Sequence, residues 1–178
     1  MTIGGTDYLI DIIGINHDTY TAGSIAPLTF QLHDCYGELK NMNSSRTNVG
    51  GWASCSMRTV HLPAILALMP TEVKNSIREV NKLTSAGNRS ATINTTADKL
   101  FLLSEIEIFG SIAHSYSGEG TQYDYYKAGN SRAKGGADSW WERSPSASDS
   151  THFCFVLRGN ASGSNANYAT GVAFGFCF

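Results

Sequence analysis

The chain has 178 residues, 42% of them apolar, which is enough for one compact domain with its own core. Charged residues make up only 16%, the formal net charge is −2, and no Lys/Arg-rich block is present. A duplex-binding role, which needs clustered cations to neutralise phosphates, is therefore not expected. No run approaches the ~20 apolar residues that span a bilayer, so no membrane insertion is expected. The start, Met1-Thr2-Ile3-Gly4-Gly5, lacks the basic and apolar regions of a signal peptide. The expectation is a product made in the cytoplasm that leaves by another route, or a domain of a longer chain.

Tyr8 to Ile15 is an Ile-rich run that reads as a strand, and Asn16-His17-Asp18 and Ala22-Gly23-Ser24 carry turn chemistry. Leu28 to Tyr36 alternates, with Leu28, Phe30 and Leu32 on one face and Thr29, Gln31 and His33 on the other, the pattern of a half-buried strand. Asn41 to Gly51 reads as loop. The spacing of Met57, Val60, Ile65, Leu68 and Met69 predicts a helix over Met57–Met69, kinked or split by Pro63. Pro70-Thr71-Glu72 opens a second helix with Val73, Ile77 and Val80 on one face. Short strands are expected over Val80–Thr84 and Ser90–Thr95, around Ala86-Gly87-Asn88.

Asp98 to Phe109 begins as a Leu-rich buried strand and passes into a helical turn at Ser104-Glu105-Ile106-Glu107. Gly110 to Ala137 is a long Gly/Ser/Tyr-rich loop, and its Tyr123, Tyr125 and Tyr126 either form a contact surface or cap the core. Ser139–Ser144, His152–Leu157 and Val172–Phe178 read as strands. Phe153 and Phe155 share one face of the second, and Phe174 and Phe176 share one face of the third. Alternation buries one of Trp140 and Trp141 and leaves the other partly exposed. The whole is one α+β domain over residues 1–178, with a β-rich N-terminal part (1–48) and two helices among mostly antiparallel short strands.

Trp140-Trp141-Glu142-Arg143-Ser144-Pro145, then Phe153-Cys154, then Gly171-Val172-Ala173-Phe174-Gly175-Phe176-Cys177 resemble an uncharacterised domain family of phages, prophages and their bacterial hosts. Its usual form is WWLRSP followed by a polar stretch and a GV-x-F-x-F ending; here Glu142 stands in place of Leu. Gly50-Gly51-Trp52, Met57-Arg58 and Lys99-Leu100-Phe101-Leu102-Leu103-Ser104-Glu105 also match, so the family core is placed at 49–178. The tail is similar to the C-type-lectin-like and formylglycine-generating-enzyme-like group, which includes receptor-binding proteins diversified by retroelements. This resemblance implies a C-type-lectin-like fold and a variable, ligand-facing interval between the Arg-Ser strand and the terminal Gly-Phe strand, here Pro145 to Gly171. It implies a phage-tail or other virion-surface, or extracellular, receptor-binding domain, not an enzyme, whose partner is a host-cell glycan or protein. Other virion proteins and further copies of the chain, as in a trimer, are the remaining implied partners.

Ser, Asn and Gly give adaptable hydrogen bonding, and Tyr and Phe give rigid contact area. The candidate ligand-binding residues are Ser148, Asp149, Thr151, His152, Phe155, Leu157, Arg158, Asn160, Ser164, Asn165, Asn167 and Tyr168; the same residues also suit polar turns. Trp140, Trp141, Arg143, Phe153, Phe174 and Phe176 are assigned structural roles, with Arg143 as a buried anchor for loop carbonyls. No cofactor or metal is expected. Asp149 is the only acidic residue after Glu142, which leaves no carboxylate cluster for calcium. The five histidines are isolated, and no Gly-x-Ser-x-Gly elbow is present. Glu105 and Glu107 read as solvated carboxylates. Cys35, Cys55, Cys154 and Cys177 have no CxxC spacing, and buried thiols are expected of them. A virion decoration or assembly domain is the alternative function, and a formylglycine-generating-type enzyme using Cys154 and Cys177 a further one.

Overall fold

In the computed structural model, which describes residues 1–178, strands β1 (Thr2–Ile3) and β2 (Thr6–Asp7) pair across Gly4-Gly5. β3 (Ile10–Ile15) and β4 (Leu28–Leu32) follow as an antiparallel pair, and β4 is the centre of a three-stranded sheet whose other edge is the chain's last strand. Both strands are shorter than the apolar pattern predicts. The pattern also misassigns the inner face of β4: Thr29 and Gln31 are fully buried, while Leu28 and Phe30 are half-buried. Hydrogen bonds make this possible. Thr29 Oγ1 donates to Asp18 at 2.6 Å, the Gln31 amide donates to the Ala173 carbonyl at 2.9 Å, and its oxygen accepts from the Tyr126 hydroxyl at 2.6 Å. A buried polar side chain is tolerated when its partners are in place.

The helical region holds more pieces than the two helices expected. α1 (Gly51–Ser54) is followed by a π-helical turn, Met57–His61, which runs into α2 (Leu62–Ala67), and α3 (Thr71–Ser76) comes next. The helix expected over Met57–Met69 is split next to Pro63: the π-helical turn ends at His61, α2 begins at Leu62, and Pro63 in the first turn of α2 has no N–H to carry the regular ladder back across the junction. α3 ends at Ser76, and Val80 already belongs to the next strand, so Val73, Ile77 and Val80 do not form one helical face.

β5 (Val80–Gly87) and β6 (Ser90–Asp98) form a hairpin longer than expected. Its two-residue turn is Asn88-Arg89, with φ of 52° and 59°, the primed geometry that matches strand twist. Burial alternates along the start of β5, so that Val80, Lys82 and Thr84 all point inward. Leu100 to Leu103 is buried throughout but is an extended connection, with one bridge from Phe101 to Gly175. α4 (Glu105–Phe109) opens on a capping box between Ser104 and Glu107. Glu105 and Glu107, expected at the surface, are buried at 1% and 2% exposure. The long Gly110–Ala137 segment contains α5 (Asp124–Lys127) and inserts Tyr123 and Tyr126 into the core, so these two cap the core.

β7 (Ser139–Pro145), β8 (His152–Leu157) and β9 (Asn160–Asn165) form an antiparallel sheet with β8 in the middle, and β10 (Gly175–Cys177) closes the chain against β4. β7 is buried along its whole length. Trp140 and Trp141 are therefore both buried, against the expectation from alternation, and each indole N–H finds a carbonyl at 2.8 Å, of Arg132 and Lys40 respectively. Phe153, Phe174 and Phe176 are fully buried. One cluster of 34 buried residues runs from Ile3 to Cys177, so the chain has a single core. The architecture is mixed α/β with mostly antiparallel short strands and few, short helices. The four cysteines are buried and unpaired.

Candidate functional site

The interval Pro145–Gly171 is mainly the β8–β9 hairpin, and the structure divides the sequence-derived contact residues among three places. Phe155 is only 7% exposed and packs against Trp141, with ring centroids 5.7 Å apart, so it is a core residue and no ligand contact. Leu157, Arg158 and Asn160 sit at the hairpin turn. This turn is Arg158-Gly159, with φ of 49° and 85°, and Arg158 pairs there with Asp138 at 3.1 Å. The remaining candidates gather at the other end, roughly 17 Å away for six-residue strands rising ~3.4 Å per residue.

That base end is an ordered polar surface. Thr151 donates from its N–H and its hydroxyl to Asp149 Oδ1, both at 2.7 Å, while His152 Nδ1 faces Asp149 Oδ2 at 2.8 Å. The Thr151 bonds lead in holding the Asp149 carboxyl below its ordinary range. Asn165 pairs with His152 across the strands and accepts from Arg46 Nε at 2.9 Å. Ser164 is half-buried, whereas Ser148, Asn167 and Tyr168 are exposed; Tyr168, 54% exposed, donates its backbone N–H to the Asn165 carbonyl at 2.9 Å. Arg46 was not among the sequence-derived candidates, because it lies 119 residues from Asn165.

Asn48 holds this end in place. It is fully buried, its amide donates to the carbonyls of Asp149 (2.9 Å) and His152 (2.7 Å), and its oxygen accepts from Asn88 N–H at 2.8 Å. Gly87 is needed at that junction, since its φ is 74° and an added Cβ would lie 1.9 Å from the Asn48 carbonyl oxygen.

Behind the hairpin lies a buried charged network centred on Arg143. Its guanidinium donates to Glu107 at 2.5 and 2.8 Å, to Thr84 Oγ1 at 2.9 Å, and to the carbonyls of Leu102, Leu83 and Glu119. Three segments far apart in sequence are thereby fixed to β7. Lys82 extends the network to Asp18 and Glu107, each at 2.8 Å, and to the Tyr123 hydroxyl at 3.0 Å. Burial opposes ionisation of Asp18, yet the Lys82 charge and hydrogen bonds from Lys82, Thr29 and Tyr123 hold its carboxyl at about 2. Glu107 stays below its ordinary range for the same reason, its burial outweighed by Arg143 and Lys82.

Over Asp18, Lys82 and Glu107 opens a pocket of about 410 Å³, with His17, Thr19, Asn81, Thr95 and Thr121 around it. Sequence reasoning missed it because its members come from β5, β6, α4 and two connecting segments. The one local signal was Lys82 at an inward position of an alternating strand.

On the far side of Arg143, Glu119 accepts from the Ser85 N–H at 2.7 Å and bonds the Ser144 hydroxyl, and burial pushes its carboxyl up to about 7. Glu105 accepts from the N–H groups of Ala113, His114 and Ser115. Glu142 is fully buried and neither of its oxygens has a hydrogen-bond partner; burial, then Glu105 and Glu119, hold it well above the carboxylate range. Burial likewise raises the thiols, Cys177 to about 12 and Cys154 well above its ordinary range. No group of three or more His, Cys, Asp or Glu is arranged to hold a metal ion, and no helix is long and apolar enough to cross a membrane.

A family model described as a domain of unknown function matches residues 20–177. The match starts well before the expected boundary at Val49, which agrees with β4 being built into the middle of a sheet closed by β10. No curated protein and no solved structure matches the chain.

Proposed function

The chain belongs to the DUF6273 family, and for this member we propose a ligand-recognition role, as a receptor-binding domain on a phage tail or other virion surface. The ordered polar surface at the base of the β8–β9 hairpin carries this reading. Asp149 is held by Thr151 and His152, Asn165 accepts from Arg46, and the exposed Tyr168 is tied to Asn165 through its backbone N–H at 2.9 Å. A pre-ordered polar patch with one rigid aromatic loses little entropy on binding. The buried Arg143 and Asn48 networks support it from below. The C-type-lectin-like fold and the relation to diversified receptor-binding proteins belong to the same proposal. Variation between close relatives would then concentrate on the exposed base end and spare the buried Phe155.

A binding role also fits the chemistry better than an enzyme of the formylglycine-generating type. Cys154 lies on β8 and Cys177 on β10, in different sheets, and burial raises both thiols above their ordinary range. Reactive cysteines need the opposite environment.

The test is binding of labelled protein to a panel of bacterial cells, on which the domain is expected to select among strains. Changing His152, Asn165 and Tyr168 to Ala is expected to abolish the selection while the protein stays folded. Binding to no strain above background would overturn the reading.

One observation favours the second reading, a virion assembly or decoration domain. β3 is a sheet edge with Ile12 and Ile15 exposed at 52% and 64%, next to Leu9 at 75%, and it lies before the region the family model matches. Edge strands with exposed aliphatic side chains pair readily with other chains. A concentration-dependent oligomer that Ile12→Lys dissolves, without strain-selective cell binding, would favour this role over the first.

A further inference from the structure

The pocket over Asp18, Lys82 and Glu107 lies on other elements than the hairpin and has a distinct chemical character. Its floor is charged but internally neutralised. Lys82 Nζ makes three close contacts, to Asp18, Glu107 and the Tyr123 hydroxyl, at 2.8–3.0 Å. Glu107 is also held by Arg143, and Asp18 also accepts from Thr29 and Tyr123. Two carboxylates thus face two cations, and an ionic ligand would meet no unpaired charge of opposite sign.

The walls are different. The hydroxyls of Thr19, Thr95 and Thr121 make no hydrogen bond within the chain, and all three residues are exposed into solvent at the pocket. Asn81 makes only a 3.5 Å contact to the Tyr20 carbonyl, which leaves its side-chain oxygen open. The His17 ring is stacked on Tyr123 at 3.9 Å, with neither ring nitrogen bonded, so it offers a flat face and two polar edges. The stack depends on Gly14, where a Cβ would approach both His17 and Tyr123 to 2.9 Å. The volume of about 410 Å³ lies in the lower part of the range for small-molecule sites, roughly 300–1,000 Å³.

Open hydroxyl and amide groups, a flat ring and no unpaired charge are what an uncharged, hydroxyl-rich ring requires. We propose that this pocket binds a neutral saccharide unit, with Asn81, Thr95 and Thr121 bonding its hydroxyls and His17 lying against its ring. The inference is independent of the hairpin surface and adds a second, small-molecule site to the domain.

The test is saturation-transfer NMR of the full chain with the methyl glycosides of glucose, galactose, mannose and N-acetylglucosamine, and with N-acetylneuraminic acid as the anionic comparison. At least one neutral glycoside is expected to bind. Asn81→Ala with Thr121→Val, both at exposed positions, is expected to weaken it at least tenfold with an unchanged melting temperature. The His152/Asn165/Tyr168 variant is expected to leave it unchanged. Absence of neutral-glycoside binding, preference for the anionic sugar, or indifference to the Asn81/Thr121 variant would each overturn the proposal. None of these results bears on cell binding through the hairpin, so the two readings fail separately.

Discussion

Replacing Glu142 with Leu is expected to stabilise the protein. Glu142 lies on β7 with no exposure, and neither carboxyl oxygen has a partner. An unsatisfied buried polar group costs about 1–3 kcal/mol. Leucine is close in volume and carries no polar atom. Taking about 2 kcal/mol for the relieved penalty, and roughly 2–4 °C per kcal/mol for a chain of this length, the melting temperature rises by about 4–8 °C.

The gain also depends on pH. Burial raises the Glu142 carboxyl well above its ordinary value of 4.5, so the folded state takes up a proton that the unfolded state has released. Its contribution to folding is most favourable below 4.5 and is lost as pH rises from there toward the folded value. The advantage of Leu over Glu therefore grows between pH 5 and pH 8. Calorimetric melting at both pH values measures this, with Glu142→Gln as the control. Glutamine keeps an unsatisfied polar group but does not titrate, so it flattens the pH dependence without the full gain. A Glu142→Leu protein that melts lower than the parent, or one whose gain is equal at the two pH values, would refute the reasoning.

Three further outcomes follow from the same networks. Arg143→Met leaves Glu107 and three carbonyls without their donor and is expected to cost at least about 3–5 kcal/mol, as breaking a buried ion pair does, so little soluble folded protein should be recovered on expression. Glu119, with its carboxyl at about 7, favours folding fully below 4.5 and loses that contribution as pH rises toward 7; hydrogen exchange of residues 110–123, corrected for intrinsic rate, should therefore speed up between pH 5 and 8 in the parent and not in Glu119→Gln. Gly87→Ala forces a Cβ against Asn48 and a left-handed backbone on alanine, costing at least about 1 kcal/mol; because Asn48 holds Asp149 and His152, cell binding should weaken although no contact residue has changed, and titration against a responsive strain checks this.

The parts of the fold that the sequence made legible are those set by neighbours in the chain. The Ser139–Ser144 and His152–Leu157 strands follow from local pattern, and the helical turn read at Ser104-Glu105-Ile106-Glu107 falls at the start of α4. The inner face of β4 was not legible, because Thr29 and Gln31 are buried by partners at Asp18, Tyr126 and Ala173, up to 142 residues away. The same reason hides Glu105 and Glu107, acidic residues that local reading places in water but that accept from backbone N–H groups, Arg143 and Lys82. At the hairpin the sequence supplied most of the base-end residues. It also grouped them with Arg158 and Phe155, since it carries no information on which end or face of a hairpin a residue occupies. Arg46 and Asn48, which order that end from another segment, had no local signal.

The most direct test of the central claim compares two folded variants on one responsive bacterial strain. In the base-end variant His152, Asn165 and Tyr168 are changed to Ala; in the turn-end variant Leu157, Arg158 and Asn160 are changed to Ala. The account predicts that the base-end variant loses strain-selective binding and the turn-end variant keeps it. Retained binding in the base-end variant, with loss in the turn-end variant, would contradict it.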